Sequence, residues 1–238
     1  MHPGAVNNQS NTLALVNLRG EGEARVRVAV FGANGATGGL LTERSLVAGY
    51  EVTALLRKPE EFKFRDRVKV VQGSVFELAD VLKGLEGVDV VLSALGAHSP
   101  LRNENVLPRA VPTIVEAMQQ AGPRRIIALG SAGALPDSLD KQPAWRRWFV
   151  QKIVYNTVLK WPVHEQVVQY LRLSSSGLDW TMVMPGMLTN GKAKGRYRVD
   201  GDALPPGGSK IARADVADFM MQQIEGTEWR RKGVYLCY

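Results

Sequence analysis

The chain has 238 residues, 45% of them hydrophobic and 22% charged, and a formal net charge of +7. At about 150 residues per domain that length fits one large domain or two small ones, and the composition excludes a mainly disordered chain. One cysteine, Cys237, excludes an intrachain disulfide, and no apolar run reaches the roughly 18 residues of a membrane helix.

Residues 1–24 are polar and without periodicity, so they read as a flexible tail ahead of one domain over 25–238. A strand is predicted over 26–31 and a helix over 38–48. Strands follow over 51–56 and 68–71, then a short helix over 76–83 and a strand over 88–93. Residues 106–120 predict a helix and 125–129 a strand. A helix over 162–172, a strand over 180–184 and a helix over 214–224 complete the series. Near-continuous apolar strands alternating with helices mean a parallel sheet covered on both faces. The fold class is therefore α/β, a doubly wound parallel sheet of the Rossmann-like kind in a single domain.

The first strand runs into Gly32-Ala33-Asn34-Gly35-Ala36-Thr37-Gly38. Glycines here permit a tight turn and close backbone approach, and the following helix aims its first amides at a diphosphate. A Gly-rich turn without a ligand is the bland alternative, but the position between a strand and an amphipathic helix favours a dinucleotide. An NAD site places an acid near the end of the second strand for the ribose 2′-hydroxyl. That strand ends instead in Arg57 and Lys58, where a 2′-phosphate would sit, so NADP(H) is the cofactor expected. Solvated surface cations are the competing reading.

With these motifs the chain resembles the atypical short-chain dehydrogenase/reductases, and within them the biliverdin-IXβ/flavin reductases and related NAD(P)H-binding proteins. The resemblance spans about residues 26–224 and includes GYEVTALLRKPE, GSAGAL, SGLDWTMVMPG and IARADVADFM. It implies that residues 34–38 bind the diphosphate and that Ser74 and Val75 lie against adenine, Ser74 standing where the family commonly has an acid. It further implies that Leu95 and Gly96 pass along the nicotinamide ribose, and that Pro185 and Met187 flank the carboxamide. Ser131 would lie beside the nicotinamide and His164 would bind its ribose; these two are the catalytic candidates. Met187 stands where the flavin reductases carry a histidine.

The larger superfamily uses a tyrosine and a lysine four residues apart on one helix, the lysine lowering the tyrosine's pKa for general acid catalysis. Tyr155 and Lys160 are five apart, which turns them about 140° from each other. Counting back from SGLDW, the pair's positions fall on Lys160 and His164. Tyrosine-based carbonyl chemistry is not expected.

Between residues 140 and 198 there are ten basic and three acidic residues, which accounts for the chain's whole excess charge. Within it, residues 143–161 carry Trp145, Trp148, Phe149, Tyr155 and Trp161 beside Arg146 and Arg147. Such a segment can roof a flat anionic ligand, pack on the core, or touch a membrane surface; Trp145, Arg146, Arg147 and Met187 are the substrate candidates. His98 is either at the pocket mouth or merely exposed. No Cys/His spacing suggests a metal.

These residues point to an NADPH-dependent reductase that passes hydride to a planar, anionic small-molecule acceptor such as a flavin or linear tetrapyrrole. The alternatives are another atypical dehydrogenase (an epimerase, or a quinone or enone reductase) and an NADP-binding redox sensor without turnover. A cytoplasmic monomer is expected, with no nucleic-acid partner and no integral membrane segment.

Overall fold

A computed structural model describes residues 25–97, 102–133, 135–154, 157 and 160–238. The expected tail, His98 and Tyr155 lie outside the described residues.

The apolar runs form β1 (Arg27–Phe31), β2 (Glu51–Leu56), β3 (Lys69–Gln72), β4 (Val90–Ser93), β5 (Arg125–Leu129) and β6 (Asp179–Pro185). Between and after them lie α1 (Ala36–Val47), α2 (Leu78–Gly84), α3 (Val106–Ala121), α4 (Ala144–Phe149), α5 (Lys160–Ser174) and α6 (Arg213–Gln222). Three-residue strands β7 (Met187–Thr189), β8 (Arg198–Asp200) and β9 (Lys210–Ala212) precede the last strand, β10 (Lys232–Cys237). The main sheet runs β3-β2-β1-β4-β5-β6-β10-β8, all parallel except β8, while β7 and β9 pair separately.

Each central strand is buried on both faces, so its odd and even residues enter different cores. Ala29 and Phe31 of β1 pack with Val81 of α2 and Leu85 just after it, with Leu107, Ile114 and Met118 of α3, and with Leu173 of α5. Val28 and Val30 pack on the opposite face with Leu41 of α1 and with Val216 and Met220 of α6. This is the doubly wound, single-domain architecture expected. Strand order reverses between β1 and β4, and ligands of such sheets bind in the crevice at that reversal, outside the carboxyl ends of the strands.

β10 was not foreseen. Its apolar run is only Val234 to Cys237, after three consecutive cations, yet it lies between β6 and β8 in the sheet.

Candidate functional site

The carboxyl edge at the reversal is built from backbone packed against backbone. Gly32 has φ +79°, and a Cβ there would lie 2.8 Å from the Ala94 carbonyl oxygen that follows β4. A Cβ on Gly38 would lie 2.0 Å from the Gly32 oxygen. The turn closes with the Gly35 amide donating to Gly32 O at 2.9 Å. Gly35 is the N-cap of α1 and supplies no side chain to its first-turn amides, so those donors are available to an anion. Gly35 and Ala36, with Asn34, Gly39, Glu43 and Lys63 among others, line a cleft of about 320 Å³.

Arg57 and Lys58 follow β2 directly and are exposed. Asn34 Nδ2 reaches the Lys58 carbonyl at 3.5 Å, which joins the glycine turn to this cationic corner. Lys63, over the ring of Phe64, brings a further cation that the sequence reading missed. After β3, the Ser74 amide donates to Asp80 Oδ2 at 2.9 Å, and the Ser74 hydroxyl accepts from the Phe76 amide at 3.2 Å. Ser74 and Val75 are thus held in a side-chain-capped turn that uses the serine oxygen locally. Gly96 has open space about its α-carbon, next to half-buried Leu95.

On the other side of the reversal, Gly130 N donates to Val183 O at 2.7 Å and Ala132 N to Pro185 O at 2.9 Å. The β5–β6 ladder therefore continues past β5 and holds Ser131 beside the end of β6, where Pro185 is found. Ser131 Oγ accepts from the Gly133 amide at 3.4 Å. Met187 begins β7 and is exposed; its amide donates to Ser209 O at 2.8 Å.

α5 is anchored over this edge by its polar residues. Gln169 Nε2 donates to Leu129 O at 3.0 Å, and Glu165 Oε2, one turn earlier, accepts from Leu107 N at 3.0 Å. Glu165 is buried and caps α3, whose own N-cap residue, Asn105, makes no side-chain cap bond. Its second oxygen, Oε1, has no hydrogen-bond partner among the described residues. The sequence signal was the spacing Glu165, Gln169, Leu173, one buried row on α5. His164 lies next to that row and is exposed, as is Lys160 a turn before it.

In the basic aromatic segment the two arginines are engaged locally and the rings of α4 are not. Arg146 points inward, donating to Gln142 Oε1 at 2.7 Å and Gly208 O at 2.8 Å. Arg147 is drawn to Asp140 at 3.3 Å. Trp145, Trp148 and Phe149 face solvent. Because Gly208 adjoins Ser209, these bonds set α4 beside the Met187 strand.

A second cluster near this mouth is structural. Buried Asp215 accepts from the amides of Lys194 and Gly195 and from the Tyr238 hydroxyl at 2.5 Å. Burial, together with that bond, pushes the Tyr238 pKa up to about 12. Burial also pushes the Cys237 thiol up, which keeps it protonated and unreactive. Among the described residues no group of three or more histidine, cysteine or acidic side chains could hold a metal ion. No helix among them is long and apolar enough to cross a membrane.

A family model described as NAD(P)H-binding matches residues 32–227. Relatives include the Bacillus subtilis (strain 168) protein YwnB, itself uncharacterized, 23% identical over 224 residues that cover 87% of this chain and 96% of YwnB. A candidate epimerase from Bacteroides thetaiotaomicron has a similar structure, with a TM-score of 0.75 at 26% identity over 90% of this chain and 98% of that one. A candidate NADH-flavin reductase from Streptococcus pneumoniae TIGR4 has a TM-score of 0.66 at 25% identity, over 89% and 99%.

Proposed function

The chain belongs to the NAD(P)H-binding family, and from that premise we propose that it is an NADPH-dependent reductase acting on a planar, conjugated, anionic acceptor of the flavin or linear-tetrapyrrole kind. The observation that carries the reading is the glycine turn: Gly38 has no room for a side chain, and the uncapped amides of α1 stand above it, as a diphosphate requires. When bound, NADPH supplies the hydride.

The chain's own residues bind and position. The turn of residues 34–38 holds the diphosphate through the first-turn amides of α1 that Gly35 leaves uncapped, while Arg57 and Lys58 hold the 2′-phosphate, with Lys63 close by in the adjoining cleft. Ser74 and Val75 support adenine through backbone and apolar contact, the Ser74 hydroxyl being used within its own turn. Leu95, Gly96 and His164 border the nicotinamide ribose; Pro185 and Met187 border the carboxamide. Ser131 orients nicotinamide or acceptor at the end of β5. The acceptor enters between Ser131 and Met187, with charge at the mouth from Arg147, Lys192 and Lys194, and solvent returns the proton. Arg146 serves as a strut between α4 and Gly208.

Likeness to a candidate epimerase favours a second reading, in which hydride is taken up and returned to the same substrate. Loss of NADPH absorbance on mixing the protein with FMN separates the two. Steady oxidation, faster with FMN than with uncharged riboflavin and with the difference shrinking as salt is added, supports the reductase. No net oxidation with any flavin or tetrapyrrole overturns it.

A further inference from the structure

Seven large hydrophobic side chains are exposed among the described residues, and four of them form one stripe: Trp145 (72%), Trp148 (60%), Phe149 (48%) and Ile153 (43%). Their spacing of three, four and eight residues from Trp145 places them on one face of α4 and of the π turn Val150–Val154 that continues it. Met187, a fifth, is tied to the same surface, since α4 and the Met187 strand bond to the neighbouring carbonyls of Gly208 and Ser209. The inner side of the segment is already engaged, through Arg146 with Gly208 and Gln151 with Pro136. The stripe therefore faces outward by construction and is not waiting to fold onto the core.

Residues 144–154 contain three cations and no acid; Arg146 is turned inward onto Gly208, Arg147 keeps 43% of its side chain exposed beside Asp140, and Lys152 is exposed. We propose that this face docks on the surface of an anionic lipid bilayer, with the rings in the headgroup layer and the surrounding cations drawn to acidic lipid. An apolar helix face with large aromatics and a basic surround is the form that lies in a membrane interface. A second copy of the chain is a poor occupant, because joining two such faces sets the cations of one stripe against those of the other with no acid in either. One flat acceptor is a poor occupant too: it covers one or two rings, whereas four side chains are spread along the stripe. The docking is independent of which acceptor is reduced.

Flotation of the full chain with vesicles of phosphatidylcholine, with and without phosphatidylglycerol, tests this. Binding to the anionic vesicles is expected to exceed that to the zwitterionic ones by about tenfold or more, each cation near the surface contributing roughly fivefold, and to fall in high salt. The triple variant Trp148→Ser/Phe149→Ser/Ile153→Ser is expected to lose that binding while keeping its melting temperature, since all three side chains are exposed. Absence of wild-type binding to anionic vesicles overturns the proposal. So does unchanged binding by the triple variant, which would make charge alone responsible, or a wild-type dimer that the triple variant dissociates.

Discussion

From β1 to β5 strands are joined by α-helices, save for two 3-10 turns between β2 and β3, and the glycine turn is fixed by backbone against backbone. From Gly130 to Ala212 the described residues add only β6 to the centre of the sheet, beside a 3-10 turn, α4, a π turn, α5 and three short strands. This second region is held by side chains reaching across loops. Gln142 Nε2 donates to Leu204 O and Pro205 O at 2.8 and 2.9 Å, Arg146 joins Gln142 to Gly208, and Lys141 spans Asp200. The difference separates the two tasks of the site. On the proposed function, the cofactor is met by a rigid turn that tolerates no side chain, and the acceptor by a surface whose shape is set by replaceable latches.

Gly38→Ala breaks the rigid side at its tightest point and has the largest expected effect. The obstructing atom is the Gly32 carbonyl oxygen, at 2.0 Å from the added methyl, and backbone cannot rotate out of the way as a side chain does. Overpacking of that kind costs about 3 kcal/mol or more, and NADPH affinity falls roughly a hundredfold or beyond it as the turn opens. Titration of NADPH fluorescence together with thermal melting checks both. A variant that binds NADPH normally would show that the turn is not the cofactor cradle.

Arg57→Asp tests the same side without touching its fold, because the residue is exposed. Charge-assisted hydrogen bonds to a phosphate are worth about 1.5–3 kcal/mol. NADPH is therefore expected to bind ten- to a hundredfold more tightly than NADH in the wild type, and Arg57→Asp to erase or invert that order. Equal wild-type affinity for the two cofactors would move the 2′-phosphate elsewhere or remove it.

The same division governed what the sequence disclosed. Strands β1 to β6 carry apolar runs that stand alone as signals, and the glycine turn is legible because its physics is local. Helix α1 begins two residues before the predicted start, since Ala36 and Thr37 already lie in its first turn. β10 was hidden because its burial is supplied by β6 and β8, far away in sequence. β7, β8 and β9 are three residues each, too short for any periodicity. Glu165 entered the sequence reading only as one of three acids in a basic region; its burial follows from a need of α3, a helix that begins without a side-chain cap of its own. Arg146 read as a substrate candidate because sequence shows its chemistry and not the direction in which it points.

Gln142→Ala carries the comparison to the latched side. The side chain is buried and serves two carbonyls and one guanidinium, so truncation leaves polar groups unsatisfied at a cost of about 1–3 kcal/mol. At this chain length that lowers the melting temperature by about 2–4 °C per kcal/mol. NADPH affinity is expected to stay within about twofold, since Gln142 lies outside the cradle. A large loss of NADPH affinity with little loss of stability would erase the division between the two sides.

The smallest expected effect lies in acid, at the latch between Lys141 and Asp200. Lys141 Nζ is 2.7 Å from both Asp200 oxygens and 3.3 Å from Asp202. Burial works to raise the Asp200 pKa, but the Lys141 bond and the amides of Asp202 and Ala203 outweigh it and hold the carboxyl below its ordinary value. Lys141 is raised in turn, chiefly by its bond to Asp200. A carboxyl depressed in the folded state binds its proton more weakly there than in the unfolded chain. Its stabilisation is therefore complete above the unfolded value of about 3.9 and is lost as pH falls through the lower, folded value. With the Lys141 side chain 37% exposed, solvent screening limits the contribution to about 1 kcal/mol or less. Lys141→Met should therefore cost little at neutral pH, and the gap between it and the wild type should narrow further as Asp200 protonates. Thermal melts of both proteins from neutral pH down to about pH 3 measure that gap; a gap that widens in acid would mean that Lys141 is held by something other than the Asp200 carboxylate.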